Sequence, residues 1–249
     1  MNIETYGNGE RLNACRRLLA RLSDLPHTVL LPIPTTRDGV YVFGADVKLK
    51  ECLVNLTSES IIAGYGIPKS IVEDAKSVGA KVLELCCDEE FLLENAHITA
   101  VGALGYILTH VRRVPKDTVF GVIGYGRIGS KICEMLMSLG GRVCIYTSKQ
   151  EKRIELGRLG VETREAIEGK ALDLSEIDVL INTAPISWKE SFPTGRVENL
   201  CVIELASGEN FGGIEGIVRL PAVPERNYSE SGGRAYFNAI MRELSEGKE

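Results

Sequence analysis

The residues of this chain whose type and spacing most directly imply chemistry are the glycines of Gly124-Tyr125-Gly126-Arg127-Ile128-Gly129, a G-x-G-x-x-G pattern. The apolar run Val119-Phe120-Gly121-Val122-Ile123 leads into them, and residues 130–139 follow with the spacing of an amphipathic helix. A buried strand, a glycine turn and a helix in that order give an otherwise common pattern its meaning. The first glycine permits the tight turn, the second lets the main chain approach two linked phosphates, and the third lets helix and strand pack closely. The helix start then presents free N–H groups and the positive end of its dipole. Gly124, Tyr125, Gly126, Arg127, Ile128 and Gly129 are therefore expected to hold the pyrophosphate of a dinucleotide.

The next strand spans residues 142–146, and at its end a fold built for NAD usually places an acid on the ribose hydroxyls. Here that slot reads Thr147-Ser148-Lys149, with Lys152 and Arg153 close behind. Hydroxyls and cations suit a 2′-phosphate, so NADP is expected ahead of NAD, which stays possible. Residues 177–185 read as a further strand that ends in Thr183-Ala184-Pro185, expected along the nicotinamide half of the cofactor. Residues 202–209 and 217–224 supply later strand ends at the same edge of the sheet. Hydride transfer also requires groups that hold the substrate and handle a proton. Arg37, in the loop of residues 34–39, offers a planar fork for a carboxylate, and His97 offers an imidazole that can pass a proton.

The elements needed to position these residues are legible from periodicity. Helical spacing marks residues 11–22, 47–53, 68–78, 98–111 and 233–244, with a short acidic helix at 88–94. Short apolar runs mark strands at 28–33, 60–63 and 81–85, with a weaker one at 41–43. The alternation predicts an α/β protein: a Rossmann-type, doubly wound parallel sheet preceded by a smaller, shortened N-terminal α/β domain. Arg112-Arg113-Val114-Pro115-Lys116-Asp117 breaks the chain after a connecting helix, which gives a substrate-side domain over 1–96 and a dinucleotide domain over 97–249. The final helix, over 233–244, is expected to return and pack on the first domain.

With 249 residues, 44% hydrophobic and 25% charged, the chain is long enough for two modest cores. Its net charge of −5 argues against a nucleic-acid partner. No uninterrupted apolar run reaches the roughly 18 residues that span a bilayer, and the start lacks a signal-peptide pattern, so a cytoplasmic protein is expected. Its seven cysteines form no CxxC pair and no His lies at metal-ligand spacing, so reduced thiols and no metal are expected.

The order of substrate domain, connecting helix and Rossmann domain resembles the D-2-hydroxyacid dehydrogenase superfamily. Ser207 stands near the position where those enzymes carry an arginine, which makes it a further catalytic candidate. A closer resemblance, from about residue 27 to 244, is to the A subunits of dipicolinate synthase. It is carried by Val29-Leu30-Leu31-Pro32-Ile33-Pro34, Glu94-Asn95-Ala96-His97-Ile98-Thr99-Ala100-Val101-Gly102, the glycine turn, Asp178-Val179-Leu180-Ile181-Asn182-Thr183-Ala184-Pro185, and Glu204-Leu205-Ala206-Ser207 with Gly212-Gly213. The resemblance implies NADP-linked oxidation of dihydrodipicolinate to the dipicolinate of bacterial spores, a small dicarboxylate substrate, a homo-oligomer and a flavoprotein-like B subunit as partner. Arg37, Arg226 and Asn227-Tyr228-Ser229 are then carboxylate-holding candidates. Val101, Ser229 and Glu230 differ from that family's glutamate, proline and lysine. A non-catalytic dinucleotide sensor or regulatory subunit, and a 2-hydroxyacid dehydrogenase with another substrate, stay open beside it.

Overall fold

The computed structural model describes residues 2–192, 200–212 and 214–246; Gly213, one of the residues that carry the resemblance, lies outside them. The chain divides into two compact units, Met1–Ile98 with Pro224–Glu249, and Thr99–Val223. The first unit ends at Ile98, inside α3 (Glu89–His110), close to the expected boundary after residue 96, and the C-terminal helix counts with the first unit.

In the first unit, β1 (Ile3–Thr5), β2 (Thr28–Leu30), β3 (Ile61–Gly64) and β4 (Lys81–Glu84) form a parallel sheet in that order. Alternate residues along each strand face opposite sides, so two apolar layers form. Leu30, Ala63 and Leu83 pack with Leu12, Cys15 and Leu19 of α1 (Glu10–Leu19) and with Phe91 and Ile98 of α3 (Glu89–His110). Ala235, Tyr236, Ala239 and Ile240 of α7 (Ser229–Glu246) complete that layer. Val29, Leu31 and Ile62 face the other way, toward Ile71 and Ala75 of α2 (Lys69–Ser77) and Leu49 and Cys52 of the 3-10 turn Leu49–Leu53.

Helix α7 belongs here for a steric reason. A Cβ on Gly233 would lie 2.4 Å from the Ala14 Cβ, so only glycine lets α7 approach α1 this closely. Arg242 of α7 also makes two hydrogen bonds to the Asp88 carboxylate, at 2.9 and 2.7 Å. The helix expected over 11–22 is α1, and a short strand that the periodicity does not mark, β1, precedes it. The expected strand at 41–43 reduces to one bridge between Tyr41 and Lys48. The two expected helices at 88–94 and 98–111 are a single helix, α3, since nothing between them breaks it.

In the second unit, six parallel strands run in the order β10-β9-β8-β5-β6-β7. They are β5 (Val119–Ile123), β6 (Arg142–Tyr146), β7 (Glu162–Arg164), β8 (Val179–Asn182), β9 (Cys201–Glu204) and β10 (Ile217–Arg219). One face packs Phe120, Val122, Ile181 and Ile203 against Ile132, Cys133 and Leu136 of α4 (Arg127–Ser138) and against Ala100, Ala103 and Ile107 of α3. The other packs Ile123, Tyr146, Leu180 and Val202 against Leu172, Leu174, Trp188, Phe192 and Phe211. With both faces buried, the strands read as near-continuous apolar runs. By length and composition α3 is the one helix among the described residues able to cross a membrane. Its buried residues Phe91, Ile98, Ala100, Ala103 and Ile107 nevertheless belong to the two cores.

Candidate dinucleotide site

The order of the second sheet reverses between β5 and β8, its two neighbouring central strands. In doubly wound sheets the ligand binds beyond the carboxyl ends of the strands at that switch point. Here the β5 end is the glycine turn and the β8 end is Asn182-Thr183-Ala184-Pro185, brought together although far apart in sequence.

Each glycine has a separate geometric reason. Gly124 has φ of +89°, a region that side-chain-bearing residues rarely adopt. Gly129 packs so tightly that an added Cβ would sit 2.2 Å from the Gly124 carbonyl oxygen. Gly126, the N-cap of α4, is exposed, and an added Cβ would meet nothing within 4 Å. The N-cap Gly126 makes no side-chain cap hydrogen bond to α4. This open cradle fits a pyrophosphate, with Tyr125, Arg127 and Ile128 around it.

The β8 end is tied to the turn by main chain and side chain alike. Thr183 N donates to the Ile123 carbonyl at 2.9 Å, and Thr183 Oγ1 donates to the same oxygen at 2.9 Å. The hydroxyl fills the space that the missing side chains leave, since a Cβ on Gly124 would be 2.8 Å from Thr183 Oγ1 and one on Gly129 3.0 Å. Thr183 and Ala184 are half-buried and Pro185 is exposed.

At the β6 end, Thr147 is buried while Ser148 and Lys149 are exposed. Lys149 N donates to Thr147 Oγ1 at 3.3 Å, which starts α5 (Gln150–Arg158). Arg153 Nη1 donates to the Thr147 carbonyl at 2.7 Å, and its Nη2 to Glu165 Oε1 at 3.2 Å. Lys170 Nζ donates to Glu165 Oε2 at 2.9 Å, and these bonds hold the Glu165 carboxyl below the usual carboxylate range, that of Lys170 first. The strand β7, not apparent in the sequence, thus delivers a carboxylate beside a slot that reads as acid-free. Two cations compensate it, so the corner keeps a surplus of positive charge with Lys149. Lys152 Nζ lies 5.9 Å from the centre of the Tyr125 ring.

Two functional candidates emerge only from the structure: Asn182 and Glu204, buried polar side chains at the ends of β8 and β9. Asn182 Nδ2 donates to Glu204 Oε1 at 2.9 Å and to the Ala184 carbonyl at 3.0 Å. Asn182 Oδ1 accepts from Ala184 N at 3.1 Å and from Trp188 Nε1 at 3.2 Å. Glu204 Oε1 also accepts from Ala206 N at 3.0 Å, and burial pushes this carboxyl above its ordinary value.

The other site candidates lie on separate elements. Arg37 is exposed in the first unit, its guanidinium carbon 4.6 Å from the centre of the Phe43 ring. His97 is exposed within α3 rather than at a helix start. Arg226 is exposed at the end of α6 (Val223–Arg226), and Tyr228 packs on the first core. Ser207 is exposed in the loop after β9, in the second unit, where its carbonyl accepts from Asn210 Nδ2 at 3.1 Å. All seven cysteines are free. Among the described residues no cluster of His, Cys, Asp or Glu is placed to hold a metal.

The strand order, the switch point and the glycine turn define a Rossmann-type, doubly wound α/β fold. More particularly, the chain shares its fold with the A subunit of dipicolinate synthase from Bacillus subtilis, with a TM-score of 0.75, 18% identity, and coverage of 98% of this chain and 95% of that one. The corresponding protein from Bacillus halodurans gives a TM-score of 0.73 and 19% identity over 98% and 97%. A transhydrogenase from Sinorhizobium meliloti is more distant, with a TM-score of 0.57 and 12% identity over 88% and 74%. No protein-family model matches the chain, and no curated protein sequence matches it.

Proposed function

We propose that this protein is an NADP-dependent oxidoreductase of the dipicolinate synthase type, acting on a small dihydropyridine dicarboxylate. The observation that carries the reading is the open cradle at Gly126, placed at the switch point of a doubly wound sheet. The fold shared with the two Bacillus proteins supports the substrate class. Oxidation of dihydrodipicolinate would give dipicolinate, one hydride passing to NADP and one proton leaving. Bound NADP supplies the hydride acceptor; the chain's own part is to grip phosphates, orient the ring and hold the carboxylates.

In this reading Gly124 to Gly129 hold the pyrophosphate, and Thr183, Ala184 and Pro185 line the nicotinamide side. Thr147, Ser148, Lys149 and Arg153 receive the 2′-phosphate, with Lys170 offsetting Glu165. Arg37 holds a substrate carboxylate, and His97 and Ser207 are the remaining substrate-side candidates. A homo-oligomer, a cytoplasmic location and a flavoprotein-like B subunit complete the proposal; free thiols at exposed Cys86 and Cys87 are in keeping with a reducing compartment.

The test is calorimetric titration with NADP(H) and NAD(H), followed by a turnover assay that detects NADPH formed from dihydrodipicolinate, with and without the flavoprotein-like partner. Tight NADP binding with turnover is expected. Failure to bind either dinucleotide would overturn the reading. Binding without turnover would favour the sensor alternative, for which the altered residues Val101, Ser229 and Glu230 speak.

A further inference from the structure

Asn182 uses its whole side chain: both amide hydrogens and two oxygen lone pairs have partners, and these partners come from Ala184, Trp188 and Glu204. The Ala184 bonds clamp the turn that carries Thr183 from both sides. Glu204 has the opposite character. Its Oε1 accepts two bonds, yet its Oε2 is buried with no hydrogen-bond partner among the described residues. A buried acid with one bare oxygen is a costly choice where an apolar residue would fill the space. Glu204 is only 3% exposed, so it cannot itself touch a ligand.

What the pair does touch leads to the site. Asn182 fixes the turn, the turn fixes Thr183, and the Thr183 hydroxyl is the wall against which Gly124 and Gly129 close. We propose that Asn182 and Glu204 are positioning residues for the dinucleotide, acting through Thr183 to fix the spacing of the glycine turn. The inference rests on the proposed dinucleotide binding. It adds that cofactor affinity depends on a buried carboxyl at the end of a different strand, with no contact between that carboxyl and the cofactor.

The experiment is a double-mutant cycle on NADP affinity, measured by calorimetry on Glu204→Leu, Thr183→Ala and the double variant. Each single change is expected to weaken binding by about tenfold, and the double by about tenfold rather than a hundredfold, because both break one chain of contacts. Glu204→Gln keeps an acceptor oxygen toward Asn182 and is expected to restore near-native affinity. Should Glu204→Leu not fold, Glu204→Asp withdraws the same acceptor with a smaller perturbation and completes the cycle. Additive effects, or native affinity in Glu204→Leu or Glu204→Asp, would overturn the inference while the unmodified protein still binds. Absence of NADP and NAD binding by the unmodified protein would instead remove the dinucleotide reading, and this inference with it.

Discussion

Each of the two units holds a strand, a G-x-G turn and a helix in that order, and the two differ in what lies at the helix start. Gly7-Asn8-Gly9 follows β1 as Gly124-Tyr125-Gly126 follows β5, and the first glycines have nearly the same φ, +87° and +89°. Gly9 and Gly126 are both N-caps without a side-chain cap. At Gly126 the space beyond the main chain is open. At Gly9 the Glu225 carboxylate fills it, with Oε1 2.8 Å from where a Cβ would be, and it also accepts from Arg11 N at 3.4 Å. Leu12, buried in the first core, stands where the second turn has Gly129. A helix start is attractive to any anion, so a protein must either fill it or use it. The first unit satisfies its turn internally, and the second leaves the space at Gly126 open.

Four experiments would break or sharpen that contrast. Glu225→Ala should act hardest, because it leaves the Arg11 guanidinium, 5% exposed, without its ion pair and uncaps α1. A loss of about 2–3 kcal/mol in urea unfolding is expected, discounted for the 30% exposure of Glu225. Unchanged stability would mean that the first turn is not held by its carboxylate. Gly126→Val should do the reverse. The added side chain enters open space, so thermal stability should change little, while dinucleotide affinity falls by about a hundredfold, the loss of roughly 2.7 kcal/mol of phosphate contacts.

A smaller effect is expected at the ribose corner. Lys149→Glu should reduce the NADP over NAD preference by about tenfold, about 1.4 kcal/mol in relative binding. An unchanged ratio in parallel titrations would shift the phosphate seat to Arg153 and Lys170. The smallest effect is a pH dependence. Because burial raises the Glu204 carboxyl above its ordinary value of 4.5, its contribution is fully present below that value and is lost as pH rises through the folded-state value. Glu204→Gln should therefore gain stability relative to the unmodified protein as pH rises from about 4.5 toward neutrality. A constant difference in melting midpoint across that range would show that the carboxyl does not titrate differently on folding.

How far the sequence could be read depended on how local each cause is. The longer buried strands β5, β6 and β8 announce themselves as apolar runs because both faces are covered. Strands β1 and β7 read Ile-Glu-Thr and Glu-Thr-Arg, too short and too polar to stand out, and they are strands only through pairing with β2 and β6. Missing β7 meant missing Glu165 and its bonds to Arg153 and Lys170. Asn182 and Glu204 lay in plain view within apolar runs, but a buried polar residue acquires meaning only from its partner on another strand.

The amino-acid order alone determined the glycine turn, the doubly wound α/β class and the Thr-Ser-Lys slot, because each follows from short-range backbone sterics and periodicity. Tertiary structure decided which of the two G-x-G turns stays open, to which unit the last helix belongs, and what charge surrounds the ribose corner. Those outcomes depend on side chains far apart along the chain, such as Glu225 against Gly9 and Glu165 against Arg153, whose meeting no local pattern encodes.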